Sequence, residues 1–412
     1  MMDMDEQDCG HLQTDGRAAR RRPRVAIVVS HPIQHFCPQY VSLAACDAWE
    51  ICVFFASSIG RDAYVDRNFG TRVQWGGLRL ESFPHVFLNE APIQVTSELD
   101  APGLEGALDA FQPDVVISYG YSQKYQRRAR RHARTRGWAV YHIADSELAG
   151  TRSLPARVAR VAKAWWHLRG IARVLTVGDA NEKFYALAGM PASRMTRMGF
   201  PIDIGLYDKA LAEGHSSREA YGLSDAAVVF GMAGKFIPIK RQEDLIRAVA
   251  RLDPSLNVHV VLAGSGPEEQ ALRALAGGLA PGRVTFAGFV SPEMLPAFYA
   301  ALDVYVHCSS HEPHSLAISE AIYMGRPVIL SDACGSYGPN DDVSPGVNGW
   351  TYPMGDVEAL AALMRSAASD PGSRRAFGAR SRAYAIVSQN RAHGAFLQAA
   401  LAADGLPAGP QP

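Results

Sequence analysis

The stretch VYVHCSSHEPHSLAISEAIYMGRPVILSD, residues 304–332, decides the fold of this chain. It opens on one apolar run, VYVHCS (304–309), and closes on another, PVILSD (327–332). Between them Ser315 is placed to cap a helix start and Gly325 to end the helix. Strand, helix and strand, with both strands almost wholly apolar, form the unit of a parallel sheet buried on both faces.

The same unit recurs on either side. Upstream in this half lie VVFGMAG (228–234), VHVVLAG (258–264) and VTFAGF (284–289). An earlier series comprises VAIVVS (25–30), EICVFFA (50–56), DVVISYG (114–120), WAVYHI (138–143) and RVLTVG (173–178). Two series predict two doubly wound α/β domains. The Gly-, Pro- and Ser-bearing segment 199–225 is the break between them. The cleft between such domains is the default ligand site.

Composition fits this reading. The 412 residues are 48% hydrophobic and 20% charged, which excludes wholesale disorder and a small disulfide scaffold. Lys+Arg and Asp+Glu both number 41, so the net charge is zero and a general nucleic-acid binder is not indicated. The total hides a local excess, because 13 basic and 2 acidic residues fall within 124–173. The six cysteines make no C-x-x-C pair, so neither a zinc site nor a redox motif is expected, and free thiols fit a reducing cytosol. No apolar run approaches the ~18 residues of a membrane span, and the polar N-terminus lacks the apolar core of a signal peptide.

Three pieces at strand ends carry chemistry. Glu312 precedes the helix of the opening stretch and Glu320 falls in its early turns. A helix start is an anion site, and carboxylates beside it suit sugar and ribose hydroxyls. Taken alone, the pair is better read as solvated surface acids. The second piece is GMAGKFIPIKRQEDLIRAV, with Gly234 for a tight turn and Lys235 and Lys240 to face a diphosphate. The alternative is a solvated helix start. The third is Gly264-Ser-Gly266-Pro, weak by itself and short of a dinucleotide fingerprint. All three sit at carboxyl ends of strands, where open α/β sheets bind ligands, and that convergence favours function.

From about Val228 to Arg382 these motifs, in this order and spacing, resemble the retaining glycosyltransferases of family 4, with their GT-B fold of two Rossmann-like domains. The resemblance implies a sugar donor held by the second half. Glu312 then touches the donor sugar, Glu320 the nucleotide ribose, and Lys235 and Lys240 the diphosphate. The backbones of Ser315 and Leu316 meet phosphate, Gly234, Gly264 and Gly266 allow close approach, and Val290 belongs to the stretch that cups the base. Lys235 stands where the family usually has Arg, and His314 stands in a segment often Gly-Phe-Gly-Leu, so it can alter the sugar pocket.

The first half resembles the family less. SHPIQHFCPQY replaces its glycine-rich loop, and His31, Gln34 and His35 are candidates for the acceptor side, as are His142 and Asp145. A lone histidine is more often a packing residue, and Asp145 serves equally as a helix cap. Asp341 and Asp342 have no third ligand in view and read as loop solvation, so no metal or other cofactor is expected.

Residues 1–23, acidic at first and then basic, read as a disordered arm. The resemblance implies an acceptor-binding domain over 24–205 and a nucleotide-sugar-binding domain over 206–390. Over 391–412 it implies a C-terminal helix, which can cross back to the first domain, and a loose tail. The activity implied is metal-independent transfer of a hexosyl-type sugar, with retention, from a nucleotide diphosphate sugar, UDP being the commonest carrier, to an acceptor hydroxyl in glycan, polysaccharide or glycoconjugate synthesis. Two other readings stand beside it: a nucleotide-sugar epimerase of GT-B fold, and a non-catalytic membrane-surface or regulatory protein with a vestigial site. The basic segment 124–173, with Trp165 and Trp166, suits an anionic or lipid-linked acceptor or an anionic membrane surface, hence a place in the cytoplasm or at the inner face of the membrane. A core-facing helix with Trp packed inside suits it equally.

Overall fold

A computed structural model describes residues 21–61, 64–66, 71–73, 76–148 and 153–406. Most of the expected N-terminal arm and the end of the expected tail lie outside the described residues.

The first half runs β1 (Arg24–Val29), α1 (Cys37–Ala44), β2 (Glu50–Phe55), β3 (Tyr64–Asp66), β4 (Thr71–Val73), β5 (His85–Phe87), α2 (Leu104–Phe111) and β6 (Val115–Tyr119). It continues with α3 (Lys124–Arg136), β7 (Ala139–Ile143), α4 (Leu154–Leu168), β8 (Arg173–Thr176), α5 (Asp179–Leu187) and β9 (Met195–Arg197). The second half runs α6 (Ile204–Glu213), β10 (Val228–Ala233), α7 (Gln242–Ala250), β11 (Val258–Ala263), α8 (Glu269–Leu279), β12 (Val284–Gly288), α9 (Leu295–Ala301) and β13 (Val304–His307). Then come α10 (Leu316–Tyr323), β14 (Val328–Ser331), β15 (Gly349–Tyr352), α11 (Val357–Ser369), α12 (Pro371–Asn390) and α13 (Phe396–Ala403).

Two parallel sheets result. One has the order β5-β2-β1-β6-β7-β8-β9, the other β12-β11-β10-β13-β14-β15, while β3 and β4 form a small antiparallel pair. The two doubly wound α/β domains expected from the apolar runs are therefore present. Successive side chains leave a strand on opposite faces. Val25, Ile27 and Val29 accordingly enter one core of the first sheet, and Ala26 and Val28 the other. In the second sheet Phe230 and Met232 divide from Val229 and Ala233 in the same way. Each fully buried Val, Ile or Phe contributes about 1.5–3 kcal/mol, so both faces of both sheets hold their helices.

The sheet order decides where a ligand can bind. Strand β10 has β11 on one side and β13 on the other, with helices following each on opposite faces. The loops after β10 and β13 part there and leave a crevice at the carboxyl edge. Strand β1, between β2 and β6, makes the corresponding crevice in the first sheet.

The chain crosses between the two cores twice. Met198 packs in the first core and Ile202 in the second, and the return lies between Ala385 and Phe396. At the return, Gly394 has φ 159° and ψ −39°, a conformation open to glycine, and the helical path kinks there. Helix α13 then packs Phe396, Leu397, Ala400 and Leu401 onto the first core. The crossings are tied together: Gln389 Nε2 donates to the Phe200 carbonyl at 2.9 Å, and Gln389 Oε1 accepts from the Ile202 amide at 3.0 Å.

Candidate active site in the interdomain cleft

The loop after β10 is shaped by its backbone. Arg241 has φ 52°, uncommon for a side-chain-bearing residue, and is held there by a bidentate pair with Asp244 at 2.7 and 2.8 Å. Gln242 Nε2 donates to the Lys235 carbonyl at 2.9 Å and braces the loop from inside. The Ser310 amide donates to the Ile239 carbonyl at 2.8 Å, which ties this loop to the one after β13. Lys240 is thereby brought to Glu312, and the two form a close ion pair, each side chain about one-fifth exposed. Gly234 lies beside the Lys240 stem.

Glu312 also lies 3.4 Å from His307 Nε2. Burial by itself would push its carboxyl up, but the His307 contact and the Lys240 charge outweigh burial and hold it down at about 2. Glu312 is thus a carboxylate at any working pH. His307, sealed in the core beside Tyr305 and Ser309, has its basicity lowered by burial.

Glu320 differs. It is nearly buried in α10 and accepts a hydrogen bond from the Tyr299 hydroxyl at 2.7 Å, with Tyr207 alongside. Burial pushes its carboxyl up to about 7, against the opposing effect of Tyr299 and Tyr207. Two carboxylates eight residues apart therefore have opposite characters, one fixed as an anion and one poised to change charge near neutrality.

Glycines set the floor. A Cβ on Gly264 would come within 1.9 Å of the Gly234 carbonyl oxygen, and one on Gly266 within 2.5 Å of the Phe236 carbonyl. Both have φ in the range reserved for glycine, 146° and 156°. The loops after β10 and β11 thus meet backbone to backbone. Gly264→Ala is expected to lower stability by roughly 2–4 kcal/mol through combined clash and strain. An unchanged melting midpoint in calorimetry would show that the loops move apart at no cost.

A cavity of about 640 Å³ lies between the domains. Among the expected residues, Gly234, Gly264, Val290, Leu316 and Glu320 line it from the second domain, and His31, Gln34 and His35 from the first. Phe289, Tyr207 and Tyr299 add an apolar wall. Lys235, Lys240, Glu312, His314, Ser315 and Gly266 stand outside that lining, and the Lys240–Glu312 pair joins it through Gly234. Burial lowers the basicity of both His31 and His35 to about 4, so the first-domain wall is uncharged at neutral pH.

Four expectations are modified. Ser315 occupies the N-cap position of α10, yet its hydroxyl caps nothing and its amide donates to Ser336 Oγ at 2.8 Å. The helix start therefore faces the cleft through Leu316 and Ala317 rather than through Ser315. His142 is fully buried, bonded to the Tyr185 hydroxyl at 3.1 Å, and is a core residue rather than a cleft one. Asp145 is exposed and lies outside the cavity lining. The pair Asp341 and Asp342 is not solvated, being only 2% and 4% exposed.

That acidic pair is instead part of an interdomain lock which the sequence did not announce. Asp341 Oδ2 accepts from the Asp179 amide at 2.6 Å, at the start of α5 in the other domain. Asp179 in turn pairs with Arg197 at 2.6 Å, and Arg197 donates to the Asn340 carbonyl at 2.9 Å. Asp342 accepts from Ser319 Oγ at 2.5 Å and lies 3.2 Å from His314 Nε2. Burial would lower the basicity of His314, but Asp342 outweighs it and raises it. The His314 ring stacks on Phe200 at 4.8 Å, so the residue that departs from Gly-Phe-Gly-Leu is an interdomain contact. A polar pair in a Gly/Pro loop gives no sign of its partner, because that partner comes from 162 residues away.

Residues 215–384 match the protein family described as Glycosyl transferases group 1. The chain is 39% identical over 152 residues to the lipopolysaccharide core biosynthesis glycosyltransferase LpsE of Rhizobium meliloti, covering 37% of this chain and 42% of that protein. It is 29% identical over 259 residues to a GDP-mannose-dependent alpha-mannosyltransferase of Mycobacterium tuberculosis, covering 61% of this chain and 63% of that protein. The matches thus span less than two thirds of these relatives. Among solved structures, Anabaena Alr3699/HepE in complex with UDP and glucose superposes with a TM-score of 0.63 over 89% of this chain and 97% of that one, at 19% identity, a likeness of fold.

Proposed function

We propose, for a chain whose residues 215–384 belong to the glycosyl transferases group 1 family and whose fold is GT-B, that it transfers a sugar from a nucleotide diphosphate sugar to an acceptor hydroxyl with retention of anomeric configuration, in the assembly of a glycan or glycoconjugate. The observation that carries this reading is a cavity lined by Glu320, the start of α10 and Gly234 on one side and by His31 and His35 on the other, with the Lys240–Glu312 pair next to Gly234.

The donor lies on the second domain. Glu320 takes the ribose hydroxyls, and the nucleobase rests against Phe289 and Val290. The diphosphate lies over the start of α10, with Lys235 and Lys240 beside it. Helix-end amides and two cations favour the charge that grows on the leaving diphosphate as the glycosidic bond breaks. Glu312, a permanent anion, accepts hydrogen bonds from the sugar hydroxyls and steadies a sugar ring that becomes electron-poor. The acceptor enters from the first domain past His31 and His35. Attack on the face the diphosphate is leaving lets a phosphate oxygen take the acceptor proton, so retention needs no dedicated side-chain base. The cleft, once filled, keeps water from competing with the acceptor.

Metal-independent transfer is part of the proposal, because Asp341 and Asp342 have an amide, a serine and a histidine as partners and the diphosphate has cationic ones. UDP is the proposed carrier, and GDP is the second reading because mycobacterial relatives carry it in their names.

A thermal-shift screen of nucleotides and nucleotide sugars tests this directly. A ligand bound only by the folded protein at 100 times its Kd adds about 2.7 kcal/mol to stability. The expected result is a rise with one nucleotide diphosphate sugar, unaffected by a divalent-ion chelator, followed by transfer whose product keeps the donor's anomeric form by NMR. An inverted product would remove the retaining mechanism, and loss of turnover on chelation, restored by metal, would remove metal independence.

A further inference from the structure

The basic segment 124–173 resolves into two different helices. On α3 the charges are largely answered. Lys124 and Arg128 pair with Asp100 at 2.8 and 2.5 Å, Arg128 also with Glu105 at 2.5 Å, and Arg136 with Asp109 at 2.6 Å. Arg130 is buried and donates to the His167 carbonyl. Helix α3 is therefore a strut against α2, not an open basic face.

Helix α4 differs in the face it turns to solvent. Its inward side is narrow, with Ala164 and Leu168 its buried residues. Its outward side carries Leu154, Val158, Trp165 and Trp166, exposed by 72, 60, 48 and 63%. Leu154, Val158 and Trp165 follow at spacings of four and seven residues, which places them on one stripe of a helix, with Trp166 beside it. A globular helix that packs only Val161, Ala164 and Leu168 inward and turns two tryptophans, a leucine and a valine outward shows an apolar stripe to solvent.

Cations flank the stripe. Arg157 is exposed, Arg160 half-buried, and Lys163 lies over the Tyr121 ring at 5.7 Å. Arg169 sits over both indoles, 3.9 Å from the centre of Trp165 and 5.0 Å from that of Trp166, and holds them side by side. From Leu148 to Gly178 the sequence has no Asp or Glu. Nothing acidic in this stretch would repel an anionic layer, and an indole face with guanidinium beside it suits the boundary between lipid headgroups and acyl chains.

We propose that the outward face of α4 is a docking surface for anionic lipid bilayers, with Leu154, Val158, Trp165 and Trp166 entering the headgroup boundary and Arg157, Lys163 and Arg169 meeting lipid phosphates. The helix lies along the surface and does not cross it, as no helix among the described residues is long and apolar enough to span a bilayer. The surface stands independently of the transfer chemistry.

Co-sedimentation of the full chain with phosphatidylcholine vesicles, with and without one third phosphatidylglycerol, tests it. Binding is expected to the anionic vesicles, weakly to the neutral ones, and to fall as salt rises. Trp165→Ser/Trp166→Ser should lower the partition coefficient by roughly tenfold or more at an unchanged melting midpoint. Arg157→Gln/Lys163→Gln should lower it on anionic vesicles alone. Arg131→Gln, on the exposed side of α3, should leave it within about twofold. Equal binding by the tryptophan variant, an equal loss with Arg131→Gln, or no binding at all would overturn the assignment. So would a dimer in sedimentation velocity that the tryptophan variant abolishes, since the occupant would then be a second copy of the chain.

Discussion

Lys240→Ala is expected to cut turnover by roughly 10²–10³-fold while the protein stays folded. The side chain pairs with Glu312 in this structure. In the proposed mechanism it turns to the donor diphosphate, whose negative charge grows as the sugar leaves. An interaction that strengthens toward the transition state shows in kcat more than in KM. The structural cost is smaller. Glu312 keeps His307 at 3.4 Å and retains some contact with solvent, so a loss of about 1–3 kcal/mol is expected. Lys240→Arg should recover part of the turnover, because the charge is restored on a stiffer, wider group. The measurements are steady-state kinetics with a thermal melt of the same preparation. A kcat within threefold of the parent, at an intact fold, would take Lys240 out of the mechanism.

Glu320→Ala should weaken donor binding by roughly 10–100-fold, the worth of one or two hydrogen bonds from ribose hydroxyls to a charged acceptor. Its titration gives a second readout. With the carboxyl raised to about 7 by burial, the group is neutral below neutrality and ionised above it. Ribose hydroxyls donate, so they favour the ionised form, and donor affinity should rise as pH passes through about 7. Stability of the ligand-free protein runs the other way. The folded carboxyl lies above its unfolded value near 4.3, so its contribution is fully present below that value and is lost as pH rises through about 7. Glu320→Gln, permanently neutral, should flatten both profiles between pH 5 and 8. Calorimetry for affinity and denaturant titration for stability would show this. A parent profile unchanged by Glu320→Gln would assign the titration to another group, and unchanged donor affinity in Glu320→Ala would end its ribose role.

The strands that build both sheets were legible because a strand buried on both faces must be apolar along its whole length. VAIVVS and VVFGMAG could be read without knowing their neighbours. Strands β5, β9 and β15 were not marked, since HVF, MTR and GWTY are short and broken by His, Thr, Arg or Gly, with no continuous apolar run. The glycines of the β10 and β11 loops were legible as turns. Their reason was not: Gly264 is required by the carbonyl of Gly234, thirty residues earlier. His142 looked like a cleft residue because it lies near a strand end, whereas its burial follows from β8 and Tyr185 beside it, which the strand's own sequence does not show.

The sequence by itself determined that two doubly wound domains form and which strand ends carry Lys240, Glu312 and Glu320, because burial period and turn chemistry are local properties of the chain. Only the tertiary structure decided what charge those groups hold and which faces stay open. Desolvation and ion pairing depend on neighbours far off in sequence. Glu312 is fixed as an anion by His307 and by Lys240, 72 residues away, while burial, opposed by Tyr299, leaves Glu320 poised near neutrality. By the same cause, Asp341 and Asp342 became an interdomain lock, and the basic segment divided into a strut and an outward apolar stripe.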